Sequence, residues 1–402
     1  MLHRLDRTET RKYLSSRAAQ GFNVIQTVLL AELDGLTEPN RNGDLPLLNQ
    51  DPTQPNEAYF AHVDWALNLA DSLGLYFGLL PTWGDKFSKM WGVGPEIFTP
   101  QNAKTYGQFL GRRYRGRPVI WILGGDRNPA DAEDLAIIRA MATGLRDAVG
   151  NTQLITYHPQ GGSSSVDFFA NDDWIDFHMF QSGHGSYNDK ANYDQPRNAH
   201  RLNPNKPVVN GEPAYEDHPV NWRTANGYYT DFDARQAAFW SVLAGGAGHT
   251  FGNHNIWQFY DPAAHPGISS ARTPWPTALH FPAAAQIGHL RRALEENHYA
   301  LLRNSWDYLA NAPNSGGNEV LSLAGMTPQG FTLLAYTPYG HPLAVRKDKM
   351  PAGDWTVDWW DPRSGHYLPA AEPSSQDQQL IYDPPFDVQR GNDWLLRVRI
   401  NP

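Results

Sequence analysis

The chain has no cysteine, which excludes disulfides and thiolate metal sites and leaves the cellular compartment open. It also lacks any apolar run of roughly 18 residues, so no membrane-spanning helix is expected. Positive charge is in short supply: 33 Lys and Arg face 42 Asp and Glu, for a net charge of −9. Phosphate binding needs clustered Lys and Arg, so nucleic acid is not an expected partner. There is no Walker loop, no GxGxxG between a strand and a helix, no GxSxG elbow and no HExxH. Gly124-Gly125 is too short a glycine signal to cradle a phosphate. The serines of Gly161-Gly162-Ser163-Ser164-Ser165 carry nothing that singles out a nucleophile. No cofactor and no metal are expected.

What the chain does have is aromatic rings: 14 Trp, 18 Tyr and 17 Phe. Many of the tryptophans adjoin Gly, Asn, Asp or His. Such rings can stack on sugars while polar neighbours hold the hydroxyls, or they can simply fill a core. Composition does not separate these readings; position has to.

Along the chain, short apolar runs alternate with helical patterns. A helix opening at Thr8-Glu9 and closing at Gly21 precedes a strand at Asn23–Leu30, which ends near Glu32 and Asp34. A polar loop then runs to about residue 56, long enough to suggest function. A helix over 57–73 leads to a strand at Leu75–Leu80, followed by Trp83 and Lys86. A helix over about 100–114 leads to the buried strand Val119–Leu123, which ends in Gly124-Gly125-Asp126. A helix over 131–149 leads to Gln153–Tyr157 and then His158. A short helical piece from Ser165 leads to Ile175–Phe180, then Gln181 and His184. A polar segment precedes Pro207–Val209, which ends in Glu212. A helix over 231–244 precedes a strand at His249–Trp257 carrying Asn253, His254 and Trp257. A last helix spans about 278–296. Strand alternating with helix predicts a parallel α/β sheet. The count falls one strand short of a (β/α)8 barrel. The chain opens on a helix, so the first barrel strand is expected to be missing from it. An open parallel sheet is the alternative.

From about residue 298 the pattern changes. Short runs appear at Glu319–Leu323, Phe331–Tyr336, Leu343–Arg346, Trp355–Trp360, Gln379–Tyr382 and Trp394–Ile400. Turns at Asn314–Gly317, Thr337–Gly340, Pro351–Gly353 and Asp361–Gly365 separate them. This predicts an antiparallel β-sandwich. The expected domains are therefore 1–297 and 298–402.

Carboxylates just past the ends of buried parallel strands sit where α/β folds place their chemistry. Asp126 and Glu212 meet that description. Glycosidic bond cleavage needs two carboxyl groups flanking one bond, the first protonating the leaving oxygen and the second attacking the anomeric carbon or activating water. Asp126 can alternatively be a turn or cap residue, but Asp131 is better placed to cap the next helix. Glu212 can alternatively be an ion-paired strand-end group. Glu32, Trp83, Lys86, His158, Gln181, His184, Asn253, His254 and Trp257 are the expected sugar contacts. Glu32, Asp34 and Glu216 are the competing carboxylates: Glu32 and Asp34 reach the same face as substrate-hydroxyl ligands or loop anchors, and Glu216 lies four residues past Glu212. His249 lies near the same strand ends, without metal-ligand spacing. An oligo- or polysaccharide is the expected partner.

The stretches FNVIQTVLLAELDG, YFGLLPTWGDK, VIWILGGDRNP, YHPQGGSSS, VVNGEPAYE and GAGHTFGNHNIWQ together resemble the apiosidase-like glycoside hydrolases, family 140, formerly the DUF4038 proteins. The tail, with WWDPRSG, resembles the β-domain that commonly follows them and is labelled collagen-binding. The resemblance implies a (β/α)8 barrel, Asp126 as acid/base and Glu212 as nucleophile of a retaining hydrolase. It implies pectic substrates, apiosyl linkages among them. Most of the wider clan has Asn-Glu where this chain has Gly125-Asp126. Family members also carry an N-terminal strand ending in Gly-Asp-Thr-Ala-Trp, absent here. A glycan-binding protein without turnover and an inverting hydrolase are the alternatives.

Overall fold

A computed structural model describes residues 1–311 and 317–401. Most of the turn expected at Asn314–Gly317 lies outside the described residues. The chain divides into two compact units. The first comprises Met1–Gly183, Ala199–Gly211 and Asn255–Leu279; the second comprises His184–Asn198, Glu212–His254 and His280–Pro402.

In the first unit, α1 (Arg7–Ala19) starts on a capping box. Asp6 accepts from the Glu9 backbone and Glu9 accepts from the Asp6 backbone. Strands β1 (Val24–Leu30), β2 (Tyr76–Thr82), β3 (Val119–Gly124) and β4 (Ile155–His158) form a parallel sheet in chain order. Helices α2 (Glu57–Ser72), α3 (Pro100–Arg113) and α4 (Ala132–Val149) connect them. Each starts where the sequence supplies a cap: Asn56, Thr99 followed by Pro100, and Asp131. Asp131 accepts from the backbones of Glu133 and Asp134 at 2.8 and 3.0 Å, so α4 does not need Asp126 as its cap. Helices α3 and α4 cross closely on glycine. A Cβ on Gly144 would lie 2.2 Å from the Lys104 carbonyl oxygen. Residues of β1–β4 and their helices, with Trp121 and Tyr157 at the centre, make one continuous apolar core.

After α5 (Val166–Phe169), strand β5 (His178–Phe180) follows β4, with Asp176 N–H donating to the Ile155 carbonyl at 2.8 Å. β5 pairs in parallel with β6 (Val208–Asn210), Phe180 opposite Asn210. Between them the expected polar segment contains a helix, α6 (Ala191–Leu202), with Pro196 inside it.

The second unit is organised on α7 (Asp231–Leu243), nearly every residue of which is buried. A strand was expected at His249–Trp257, but β7 covers only Gly248–His249, and His254–Trp257 is a helical turn, α8. Short α9 (Trp275–Ala278), which belongs to the first unit, and α10 (Pro282–Glu296), in the second, replace the single expected last helix. Beyond β7 the chain turns to a partner distant in sequence. Glu216 takes over the polar groups a strand would have paired: its carbonyl accepts His254 N–H at 2.9 Å and its carboxylate accepts Asn253 Nδ2 at 3.1 Å.

The C-terminal part is antiparallel. β8 (Arg303–Asn304), β9 (Leu321–Thr327), β10 (Gly330–Thr337), β12 (Asp354–Asp361), β13 (His366–Pro369) and β16 (Trp394–Asn401) form one sheet, while β11 (Leu343–Arg346), β14 (Ser374–Gln376) and β15 (Gln379–Tyr382) form another. Side chains of both sheets, including Leu333, Val345, Trp359 and Tyr382, share one apolar core. Helix α7 is tied to the larger sheet by Phe239 stacked on Tyr336 at 4.2 Å. The fully enclosed pair of Arg235 and Asp393, at 2.8 Å, joins them as well.

Candidate active site

Three successive left-handed residues end β3: Gly124 at φ +85°, Gly125 at +111° and Asp126 at +52°. The glycines are needed. A Cβ on Gly124 would sit 2.5 Å from the His158 carbonyl oxygen, and one on Gly125 would sit 2.9 Å from the Trp83 ring. Asp126 tolerates the third position better than most side chains do. Its backbone is fixed at both ends: its N–H donates to His158 Nδ1 at 3.0 Å, and its carbonyl accepts from Arg127 at 2.9 Å. Because His158 Nδ1 accepts, the proton of the neutral ring is on Nε2. His158 is itself buried and tilted against Trp83, centroids 5.9 Å apart. The Asp126 side chain is half-buried, and its Oδ2 accepts the indole N–H of Trp91 at 3.1 Å.

Trp91 rides on the loop after β2. The root of that loop is a buried ion pair. Lys86 Nζ donates to Asp85 at 2.9 Å, to the Gly94 carbonyl at 3.0 Å and to the Leu33 carbonyl at 3.2 Å. Asp85 Oδ2 also accepts the backbones of Val93 and Gly94. Lys86 was expected to face substrate. Instead it is wholly enclosed with all three donors taken by protein oxygens, and it serves as the anchor of this loop. Glu32, at the end of β1, is half-buried. Burial raises its pKa and nearby Asp85 adds to the rise, against the pull of the chain's amino terminus and Arg4. Asp34 is exposed. Gln181 is buried after β5, and its Oε1 meets no hydrogen-bond donor among the described residues. Trp257 is half-buried.

In the second unit Glu212 is 8% exposed, and its Oε1 lies 3.0 Å from His184 Nε2. His184 Nδ1 accepts the Tyr215 N–H at 3.4 Å. That assigns the neutral ring's proton to Nε2, where it is donated to Glu212. His184 stacks on His218 at 4.3 Å, and His218 meets His254 edge-on at 4.4 Å. Burial, then His184 and His254, push His218 down to about 2, so it is neutral at ordinary pH. Trp222 turns its edge toward both His184 and His218 while remaining 55% exposed. It follows Asn221, and both residues have positive φ, strain of the kind that gathers at functional sites. Asn253 and His254 are buried; Asn253 is bonded to Glu216, which also accepts the Ala283 N–H at the start of α10.

The structure thus joins Asp126 to His158 and Trp83 in one unit, and Glu212 to His184 in the other. Sequence reading missed Trp91 and Trp222. Exposed tryptophans in loops follow no periodicity, and an unusual exposed aromatic is visible only once burial is known. Among the described residues, no group of three or more His, Asp or Glu side chains could hold a metal ion. No helix among them is long and apolar enough to cross a membrane.

The family model of the apiosidase-like catalytic domain matches residues 1–300. A second model, whose label names a collagen-binding domain of a collagenase, matches 309–399. Among solved structures, one described as a glycoside hydrolase is 27% identical with a TM-score of 0.87, over 100% of this chain and 90% of that one. A family 5 glycoside hydrolase from Bacteroides vulgatus is 26% identical with a TM-score of 0.86, over 100% and 86%. A family 5 mannosidase from Rhizomucor miehei shares the fold at 15% identity and a TM-score of 0.50, over 73% and 89%. Comparison with the curated proteins gives no match.

Proposed function

The chain belongs to the apiosidase-like family, and from that premise we propose a retaining glycoside hydrolase acting on pectic cell-wall glycans, apiosyl linkages included. Glycoside hydrolase chemistry follows from the family match and from relatives that align over the whole chain. The finer reading rests on one observation above others: buried Glu212 receives a proton-bearing nitrogen of His184 whose tautomer the backbone has already fixed. A donor aimed at a buried carboxylate favours its charged form, which is what a nucleophile requires.

In this reading Glu212 attacks the anomeric carbon while Asp126 protonates the departing oxygen. Water then enters, Asp126 removes its proton, and the bond to Glu212 breaks. The proton taken from that water returns Asp126 to its acid form for the next turnover. Trp83, Gln181, Trp257 and Glu32 are the proposed sugar contacts, with His158 and His184 acting through the two carboxylates and Asn253 and His254 supporting them. Strands β1–β7 would belong to a (β/α)8-type barrel in a catalytic region, 1–297, followed by an accessory β-domain, 298–402. The neighbouring match boundaries support that partition.

The test is hydrolysis of a panel of pectic oligosaccharides. Glu212→Gln should lower turnover by about 10⁴-fold or more. Asp126→Ala should also be severely impaired, and added azide should restore activity with a glycosyl azide of retained configuration relative to the substrate's, azide having displaced Glu212 from the intermediate in a second inversion. Full activity in Glu212→Gln sinks the nucleophile assignment. Binding without turnover in the unaltered protein would leave a glycan-binding protein.

A further inference from the structure

The loop between β2 and α3 does something the two-carboxylate scheme does not require. It carries Met90, Trp91 and Val93 into solvent, 57%, 55% and 48% exposed, while its root at Asp85 and Lys86 is entirely enclosed. Large exposed apolar groups at the tip of an internally bonded loop call for an explanation. The tip is held in place. Gly92 packs so closely over Asp85 that a Cβ there would lie 2.0 Å from the Asp85 Cβ. Lys89 N–H donates to Glu96 at 2.6 Å, and the Ile97 N–H to the Lys86 carbonyl at 2.9 Å.

Trp91 therefore has a fixed pose, and each part of its ring has a distinct neighbour. The N–H edge donates to Asp126 Oδ2 at 3.1 Å. One face lies over the guanidinium of Arg127, 4.2 Å from its centroid. Arg127 is buried and braced by its own bonds to the Ser88 and Asp126 carbonyls. More than half of Trp91 is open to solvent. A cation beneath an indole and a carboxylate at its edge hold the ring flat beside the proton-donating group.

We propose that Trp91 is a positioning residue for Asp126, and that its open face is the platform on which the departing sugar stacks. This rests on the reading of Asp126 as acid/base. The indole N–H selects the rotamer that presents Asp126 to the glycosidic oxygen. It also favours the carboxylate left after proton transfer, the charge that develops as the bond breaks. A sugar ring lying on the indole brings its glycosidic oxygen next to the same carboxyl group. A pyranose or furanose leaving group fits this surface; a small alcohol would leave it unused.

Two substitutions separate the parts. Trp91→Phe keeps a ring over Arg127 and removes the N–H; Trp91→Ala removes both. With more than half of Trp91 already in water, both variants should fold, which a melting curve verifies. The first readout needs no substrate. In protein labelled with carbon-13 at aspartate carboxyls, the Asp126 signal is identified by its loss in Asp126→Asn. Its titration should move upward by about one pH unit in Trp91→Phe, because a donor to the charged form is gone. An unmoved titration overturns the positioning role. The second readout is calorimetry of the pectic panel with the inactive Glu212→Gln protein. Adding Trp91→Ala should weaken oligosaccharide binding by about tenfold, while Trp91→Phe should cost much less. Equal affinity with and without the ring overturns the platform. Failure of the Trp91-intact protein to bind any panel member counts against the hydrolase reading instead, and the titration still decides the positioning role. Where turnover is measurable, the alkaline limb of kcat/KM should shift upward in Trp91→Phe in step with the titration.

Discussion

Asp126 and Glu212 each follow a short buried strand and a glycine, yet their surroundings differ in kind. Around Asp126 the backbone is over-determined: three left-handed residues, His158 on the N–H and Arg127 on the carbonyl. The side chain is left half-buried, and its Oδ2 accepts the indole N–H of Trp91. Around Glu212 it is the carboxyl group that is enclosed, against His184 and a stack of imidazoles. A group that gives and retakes protons benefits from solvent contact and a fixed aim. A group that must stay charged and attack carbon benefits from a dry setting with a committed donor. The contrast matches the two proposed roles without reference to sequence similarity.

The sharpest way to break this comparison is at the glycines. Gly125→Ala places a Cβ against Trp83 and the Gly84 backbone at φ +111°, so it should cost about 3 kcal/mol and displace Asp126. Gly211→Ala, beside Glu212, meets mainly the Met179 side chain, which can move, and should cost less than half as much. Denaturant unfolding of the two variants measures this; equal losses would show that the strand end before Asp126 is no more rigid than the one before Glu212.

Next comes the donor on Glu212. His184→Ala should reduce kcat/KM by about 100-fold, and His184→Gln, which retains an N–H, should recover part of the loss. If both variants keep normal rates, His184 is packing rather than chemistry.

The smallest expected effect is on acid stability. The enclosed His218 titrates near 2 and His178 near 4, both depressed chiefly by burial. In the unfolded chain both take protons near pH 6.5. Between that value and their folded values the unfolded state binds more protons, so their contribution is fully present above about pH 6.5 and is lost as pH falls. The Tm should therefore decline from pH 7 to pH 5, and His218→Phe should show a shallower decline. Parallel curves would remove His218 from the account.

Much of the frame was legible because buried parallel strands advertise themselves. Val119–Leu123 is apolar on both faces and stops at two glycines, and Asp126 follows directly. Asp131 reads as a cap and is one. The stretch from Thr250 to Trp257 misled because its aromatic and β-branched residues imitate a strand. Asn253 and the His254 backbone instead answer to Glu216, a partner distant in sequence. Helix α6 was hidden by its polar composition and Pro196. Lys86 looked like a substrate ligand because a lysine at a strand end usually reaches solvent; only the folded loop shows its three carbonyl and carboxylate partners.

That anchored lysine has a consequence for how the protein can change. The loop it secures is enclosed at the root and open to solvent at the tip, where the Met90 and Val93 side chains are exposed. Gly92 alone among the tip residues cannot accept a side chain without striking Asp85. Exchange of Met90, Trp91 and Val93 thus leaves the foundation untouched. The tip is a replaceable cassette: a few substitutions there can retune which leaving group is accepted, with the acid's backbone and the nucleophile's histidines left as they are.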